Sequence, residues 1–217
     1  MKLLMVLAVF FTVTINMALA GISTFISQDV AHNSETFSAW LSACSISSPE
    51  YIVDFENIPD GTNLQNNNSL FQNLVIYQSS GVPYVRSSSS YFGGSNPIDS
   101  KAAALLEDSI MSLDFSANPV DYIGFYDIDV KGCAVTVYLT DNSVINLPSD
   151  DATGTSDNTA EFYGIFRNDM PRITKVTLNA VYGDSEWGID NISYGAIPEP
   201  ATCVMLAAGV LYLIRRK

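Results

Sequence analysis

From Glu50 onward the chain alternates, with apolar side chains at every second position in short runs that end in Gly, Pro, Asn or Asp. Such period-two patterning marks a strand with one buried face. "SIMSLDF" puts Met111, Leu113 and Phe115 on one side and Ser112 and Asp114 on the other. "CAVTVYLTDNSVINL" sets Cys133, Val135, Val137 and Leu139 against Thr136, Tyr138 and Thr140, turns at Asp141-Asn142 and returns through Ser143 to Leu147. "EYIVDFEN" is a strand closed by "IPDGTN", where Pro59, Asp60 and Gly61 spell a turn. "EFYGIFR", "RITKVTLNAVY" and "EWGIDNISYG" repeat the habit. Before Glu50 the period changes: "NSETFSAWLSA" places Phe37, Trp40 and Leu41 at i, i+3 and i+4 behind Asn33 or Ser34 as a cap, which predicts a short helix. "SKAAALLED" lacks the alternation and reads as a helix or as a loop covering a sheet edge. Many one-faced strands and one helix predict an all-β fold, an antiparallel β-sandwich.

The two ends are apolar in different ways. Lys2, an apolar stretch from Leu3 to Ile15, and Ala18-Leu19-Ala20 before Gly21 have the order of a cleaved secretory signal peptide. The alternative, a first membrane helix, needs a longer apolar core. At the other end Pro198-Glu199-Pro200 precedes an apolar run from Ala201 to Ile214 and then Arg215, Arg216 and Lys217. That run is shorter than the roughly 20 residues of a comfortable span. Cations after it orient the C-terminus to the cytoplasm and the body outside. The prolines keep Ile197 and Glu199 extended and open to a protease. The chain therefore divides into a signal peptide over 1–20, a helical lead-in over 21–49, a β-sandwich over 50–196 and a tail with a hydrophobic helix over 197–217.

Tripeptide, apolar helix and basic end, in that order, make the tail resemble the PEP-CTERM sorting tail of Gram-negative bacteria. The resemblance implies processing by an exosortase, a membrane protease-transpeptidase of organisms that make exopolysaccharide. It also implies transient anchoring in the inner membrane and delivery to the cell surface or extracellular matrix. An ordinary membrane anchor is the alternative and leaves export unchanged.

Charge narrows the partners. Of 10 Lys plus Arg, four (Lys2, Arg215, Arg216 and Lys217) lie in the ends, and of 23 Asp plus Glu only Glu199 does. Six cations against 22 acids leave the body at a net charge of −16, which argues against nucleic acid and anionic membrane as ligands. Metal cations, basic partners and neutral sugars remain, as does a surface that is acidic for solubility alone.

"YIVDFE", "PVDYIGFYD", "FYGIFRNDMPRITKVTLNAV" and "WGIDNISYG" resemble the jelly-roll domain often carried by PEP-CTERM proteins, which is similar in architecture to carbohydrate-binding modules. This implies a jelly-roll sandwich that binds polysaccharide without catalysis. It also implies a structural calcium on Glu56 and Asp190. The residues themselves leave two readings. If the first and last long strands lie side by side, Asp54, Glu56 and Asp190 converge into a hard-oxygen cage suited to Ca²⁺; otherwise these acids face solvent. "PSDDATGTSDNTAE" reads as an exposed acidic loop. "VPYVRSSSSYFGG" is the expected ligand loop, because Tyr84, Arg86, Tyr91 and Phe92 sit among Ser and Gly rather than in a strand rhythm. Cys44 and Cys133 are placed to form a disulfide in an oxidising compartment, while Cys133 also suits a buried strand position. Catalysis finds little footing: His32 is the one histidine, and no zinc spacing, phosphate loop or dinucleotide fingerprint occurs. The expectation is an exported, non-enzymatic glycan binder, against a purely structural matrix protein or a carboxylate-dependent glycan hydrolase.

N-terminal sequencing of the chain recovered from its host should begin at Gly21; retention of Met1 would overturn the signal-peptide reading.

Overall fold

The computed structural model describes residues 22–27, 33–65, 70–87, 101–106, 110–128, 133–147, 160–167, 171–180 and 186–197. The expected signal peptide, the tail from Pro198 through Arg215, Arg216 and Lys217, His32, Tyr91, Phe92 and most of "PSDDATGTSDNTAE" lie outside them. Among these residues run one helix, α1 (Asn33–Ala43), and the strands β1 (Ser23–Ile26), β2 (Tyr51–Val53), β3 (Val75–Gln78), β4 (Tyr84–Arg86), β5 (Ala102–Leu106), β6 (Ile110–Asp114), β7 (Tyr122–Ile128), β8 (Cys133–Leu139), β9 (Val144–Asn146), β10 (Ala160–Phe166), β11 (Ile173–Ala180) and β12 (Glu186–Gly195). They form two antiparallel sheets. Sheet A has seven strands in the order β1-β10-β7-β12-β5-β4, with β2 also on β12, and sheet B has five in the order β3-β6-β11-β8-β9. The sandwich and its helix agree with the sequence pattern.

Inward faces meet as the alternation requires. Met111, Leu113, Val135, Val137, Val176 and Leu178 of sheet B pack against Ile123, Phe125, Tyr163, Ile165, Trp187 and Ile189 of sheet A in one core cluster. Burying each large apolar side chain contributes roughly 1.5–3 kcal/mol. β12 departs from strict alternation, because Trp187, Ile189, Ile192 and Tyr194 all reach the core. A register shift against β7 between Asp190 and Ser193, with Asn191 at φ 47, inserts the extra residue that restores the inward face.

The outer face of sheet A is closed by α1. Gly124 of β7 and Gly164 of β10 are directly paired, and the missing side chains leave a hollow for the Trp40 ring. A Cβ on Gly164 would meet Trp40 Cδ1 at 2.7 Å, and one on Gly124 would meet Trp40 Cη2 at 3.0 Å. The indole N–H donates to the Ile165 carbonyl at 3.2 Å, and Tyr122 and Phe162 close around the ring at centroid distances of 5.6 and 5.5 Å. α1 ends with Ser45 at φ 57, the Ile46 amide on the Leu41 carbonyl and the Ser45 amide on the Ser42 carbonyl, a Schellman close without glycine.

Several expectations are corrected. "SKAAALLED" contains the strand β5, because pairing of Ala103 and Ala104 with Ile189 and Gly188 satisfies backbone groups that would otherwise line an open edge of β12. The lead-in is part of the sandwich, since β1 adds to β10 through Ser23↔Phe166 to Ile26↔Tyr163. Asn33 opens the helix, but its side chain is spent on β10: Nδ2 donates to the Ala160 carbonyl at 2.7 Å, and Oδ1 accepts from the Phe162 amide at 2.9 Å. The Cys44–Cys133 disulfide is absent. Cys44 is a free thiol buried outside sheet A beside Trp40, whereas Cys133 belongs to β8 of the opposite sheet.

Two carboxylates hold the chain where it leaves the fold. Glu50 Oε2 accepts the Ala196 amide at 3.1 Å, and Asp121 Oδ2 accepts the Ile197 amide at 2.9 Å. Asp121 is also gripped by the Arg172 guanidinium at 2.9 Å through both Nε and Nη2, a bidentate pair that links the two sheets. No helix among the described residues is long and apolar enough to cross a membrane.

Gly164→Ala should lower stability by about 1–3 kcal/mol through overpacking against Trp40. Urea unfolding followed by tryptophan fluorescence reads this; an unchanged midpoint would show that the hollow is not required.

Candidate functional site

Where the two sheets' edges meet beside β2, the sandwich is open. Residues 70–72 lead into β3, an edge strand of sheet B, and face β2 and the loop that follows it. Between them lies a cleft of about 410 Å³, lined by Glu50 to Phe55, Asn57 and Ile58 on one side, Leu70 to Gln72 on the other, and Tyr194.

Local sequence builds each wall. Tyr51 stands opposite Tyr194 in register, and the rings stack at 5.2 Å with an interplanar angle of 29°. The Tyr194 hydroxyl donates to the Gln72 carbonyl and so ties the two walls together. Asp54 ends the strand: its Oδ1 accepts the Glu56 amide at 3.2 Å, and Phe55 follows at φ 58, which turns its ring onto Phe71 at 5.7 Å. Ile52 and Leu70 leave apolar surface in the open, with exposures of 57% and 44%. Glu50, Asp54, Asn57 and Gln72 are exposed polar groups around it.

Both phenols are held protonated. Burial pushes the Tyr194 hydroxyl above its ordinary range, with the charges of Tyr51 and Glu50 adding to the effect. A hydrogen bond to Glu50 raises Tyr51. The cleft thus combines aromatic and aliphatic surface with phenol, carboxylate and amide groups. Such a lining can contact C–H faces and hydroxyls alike.

Of the expected ligand residues, Tyr84 and Arg86 are described and lie outside this cleft, while Tyr91 and Phe92 lie outside the described residues. Tyr84 and Arg86 come together on β4, the far edge of sheet A, with the guanidinium 5.0 Å over the Tyr84 ring and 3.8 Å from Asp60 Oδ1. The ring therefore already stacks on a cation of its own chain. A similar pair occupies the outer face of sheet B, where Lys175 Nζ sits 4.0 Å over the Tyr138 ring. Tyr51 and the cleft escaped sequence reasoning, because Tyr51 looks like any strand residue and the opposite wall is contributed by a segment about 20 positions away in sequence.

The expected convergence of the first and last long strands is present: Val53 pairs with Ile192. Asp190 is fully buried at the bulge, where Oδ1 accepts the Asn191 amide at 2.7 Å. Glu56 Oε1 accepts the Lys101 amide at 2.8 Å. Lys101 Nζ donates to the main-chain carbonyls of Glu56 and Ile58 at 2.8 and 2.9 Å. No group of three or more His, Cys, Asp or Glu side chains that could hold a metal occurs among the described residues.

No family model matches the chain, and no curated protein matches it. Solved structures do. The K2 cleaved adhesin domain of Lys-gingipain is similar at 10% identity over 66% of this chain and 96% of that one, with a TM-score of 0.41. A variant of the family 29 carbohydrate-binding module CBM29-2 is similar at 12% identity over 69% and 99%, also at 0.41. The module TmCBM61 in complex with β-1,4-galactotriose is similar at 14% identity over 61% and 97%, at 0.32.

Burial pushes the Cys44 thiol up to about 12, against a lesser opposing backbone hydrogen bond. The native thiol should resist iodoacetamide at pH 8 and react on unfolding, as read by intact mass. Because its pKa is raised in the fold, the stability it contributes is complete below about 9 and is lost as pH rises toward about 12. Rapid labelling of the folded chain would contradict its burial.

Proposed function

We propose that the chain is an exported, non-catalytic β-sandwich that binds neutral polysaccharide through the cleft beside β2. The observation that carries this reading is the lining itself: the Tyr51 ring, Ile52 and Leu70 offer apolar surface to the C–H face of a sugar. Glu50, Asp54, Asn57 and Gln72 offer hydrogen-bonding groups to its hydroxyls. A body with a net charge of −16 and two carboxylates at the cleft favours neutral over acidic sugars.

Binding without hydrolysis is part of this reading. A glycosidase needs one carboxyl kept protonated by burial and a second placed across the scissile bond. The carboxyl groups of the cleft, Glu50 and Asp54, are exposed, and each accepts a backbone amide.

Delivery is part of the proposal. The order of signal peptide, Pro198-Glu199-Pro200, apolar run and basic end supports export, exosortase processing and release to the cell surface or polysaccharide matrix. Tyr84 and Arg86 are the alternative contact surface on the same sheet.

Affinity electrophoresis through gels containing neutral β-linked polysaccharides tests the assignment. The chain should be retarded, and Tyr51→Ala and Asn57→Ala should each weaken retention about tenfold, equivalent to about 1.4 kcal/mol. Loss on Tyr84→Ala alone would move the site to β4, and migration unaffected by every glycan in the panel would leave a purely structural matrix protein.

A further inference from the structure

Along β12, the strands β2 and β5 meet end to end. β5 pairs with Glu186 to Ile189 and β2 with Ile192 to Tyr194, so the two strands stop on either side of the bulge at Asp190 and Asn191. Asp54 and Glu56 follow β2 directly, and Lys101 immediately precedes β5. Among the described residues, Asp54, Glu56, Asp190 and Lys101 thus stand in sequence beside this seam.

We propose that Lys101 is the resident cation of the seam, and that its ammonium fixes the 54–58 wall of the cleft as a bound divalent ion would, so that the fold needs no metal there. Nζ gathers the carbonyls of Glu56 and Ile58 at 2.8 and 2.9 Å while the backbone amide of the same residue engages Glu56 Oε1 at 2.8 Å. One residue therefore ties three acceptors of a loop that lacks strand partners. Ca²⁺ takes six to eight oxygens in direct contact, about 2.3–2.6 Å away. Two of the nearest carbonyls are engaged by the ammonium, and a divalent ion beside it meets like-charge repulsion. The functional meaning of the wall rests on the glycan reading above; its fixation by Lys101 does not.

Thermal unfolding of the full chain, without glycan, separates the two. The wild type should melt at the same temperature in EDTA and in excess CaCl₂. Lys101→Met keeps the aliphatic stem and the amide bond to Glu56 but removes the ammonium, and should melt several degrees lower in both buffers. Its glycan retention should fall together with that of Tyr51→Ala. If the wild type melts lower in EDTA and Glu56→Gln abolishes that response, calcium is the cation and the proposal fails. It fails equally if Lys101→Met melts with the wild type. Because melting needs no ligand, failure of every glycan assay would overturn the binding reading and leave this one standing or falling on its own.

Discussion

Two glycines set opposite each other in neighbouring strands decide which surfaces of this sandwich are available. Without side chains at Gly124 and Gly164, sheet A is hollow at its centre, and Trp40 drops into the hollow close enough to bond the Ile165 carbonyl. Everything about α1 follows from that seat. The helix is only Asn33–Ala43, too short to be stable alone, so its order depends on the aromatic cluster that the indole nucleates. With α1 in place the outer face of sheet A is closed over β7 and β10. The open surface with the cleft lies at the flank, beside the short strand β2.

β12 converts that flank into a built site. It is the one strand that pairs with β7 on one side and with both β5 and β2 on the other. Its bulge changes which residues point inward, so Ile192 and Tyr194 serve the core beneath β2 while Asp190 is buried at the seam. Tyr194 then receives Tyr51 as a stacking partner and reaches the Gln72 carbonyl of the opposite wall. One inserted residue thereby links core packing, cleft floor and the junction held by Lys101.

Much of this architecture is written in local patterns. The helix matches its apolar spacing, and β6, β8, β9, β10, β11 and β12 lie where alternation places them. The turn at Asp141-Asn142 is there, with Asn142 at φ 66. What stayed hidden has a common physical cause, which is dependence on distant partners. β5 is a run of alanine and leucine that becomes a strand because β12 needs a neighbour. β1, β3 and β4 are three or four residues long and lack the adjoining hairpin partner that made the equally short β9 recognisable beside β8. The cleft is a gap between two sheets, and no single stretch of sequence carries it. Tyr84 and Arg86 did come together, with the guanidinium 5.0 Å over the ring.

The clamp at Ala196 and Ile197 has a mechanical meaning. Whatever pulls on the chain beyond Ile197 pulls along β12, and β12 is hydrogen-bonded on both sides rather than hanging at an edge. A load in that direction must first break the two amide–carboxylate bonds at Glu50 and Asp121. It then shears rows of ladder bonds together instead of unzipping them one at a time. The same Asp121 is locked to Arg172, so tension on one sheet is passed to the other at the point of entry. Force applied at Ile197 would thus be shared between the two sheets.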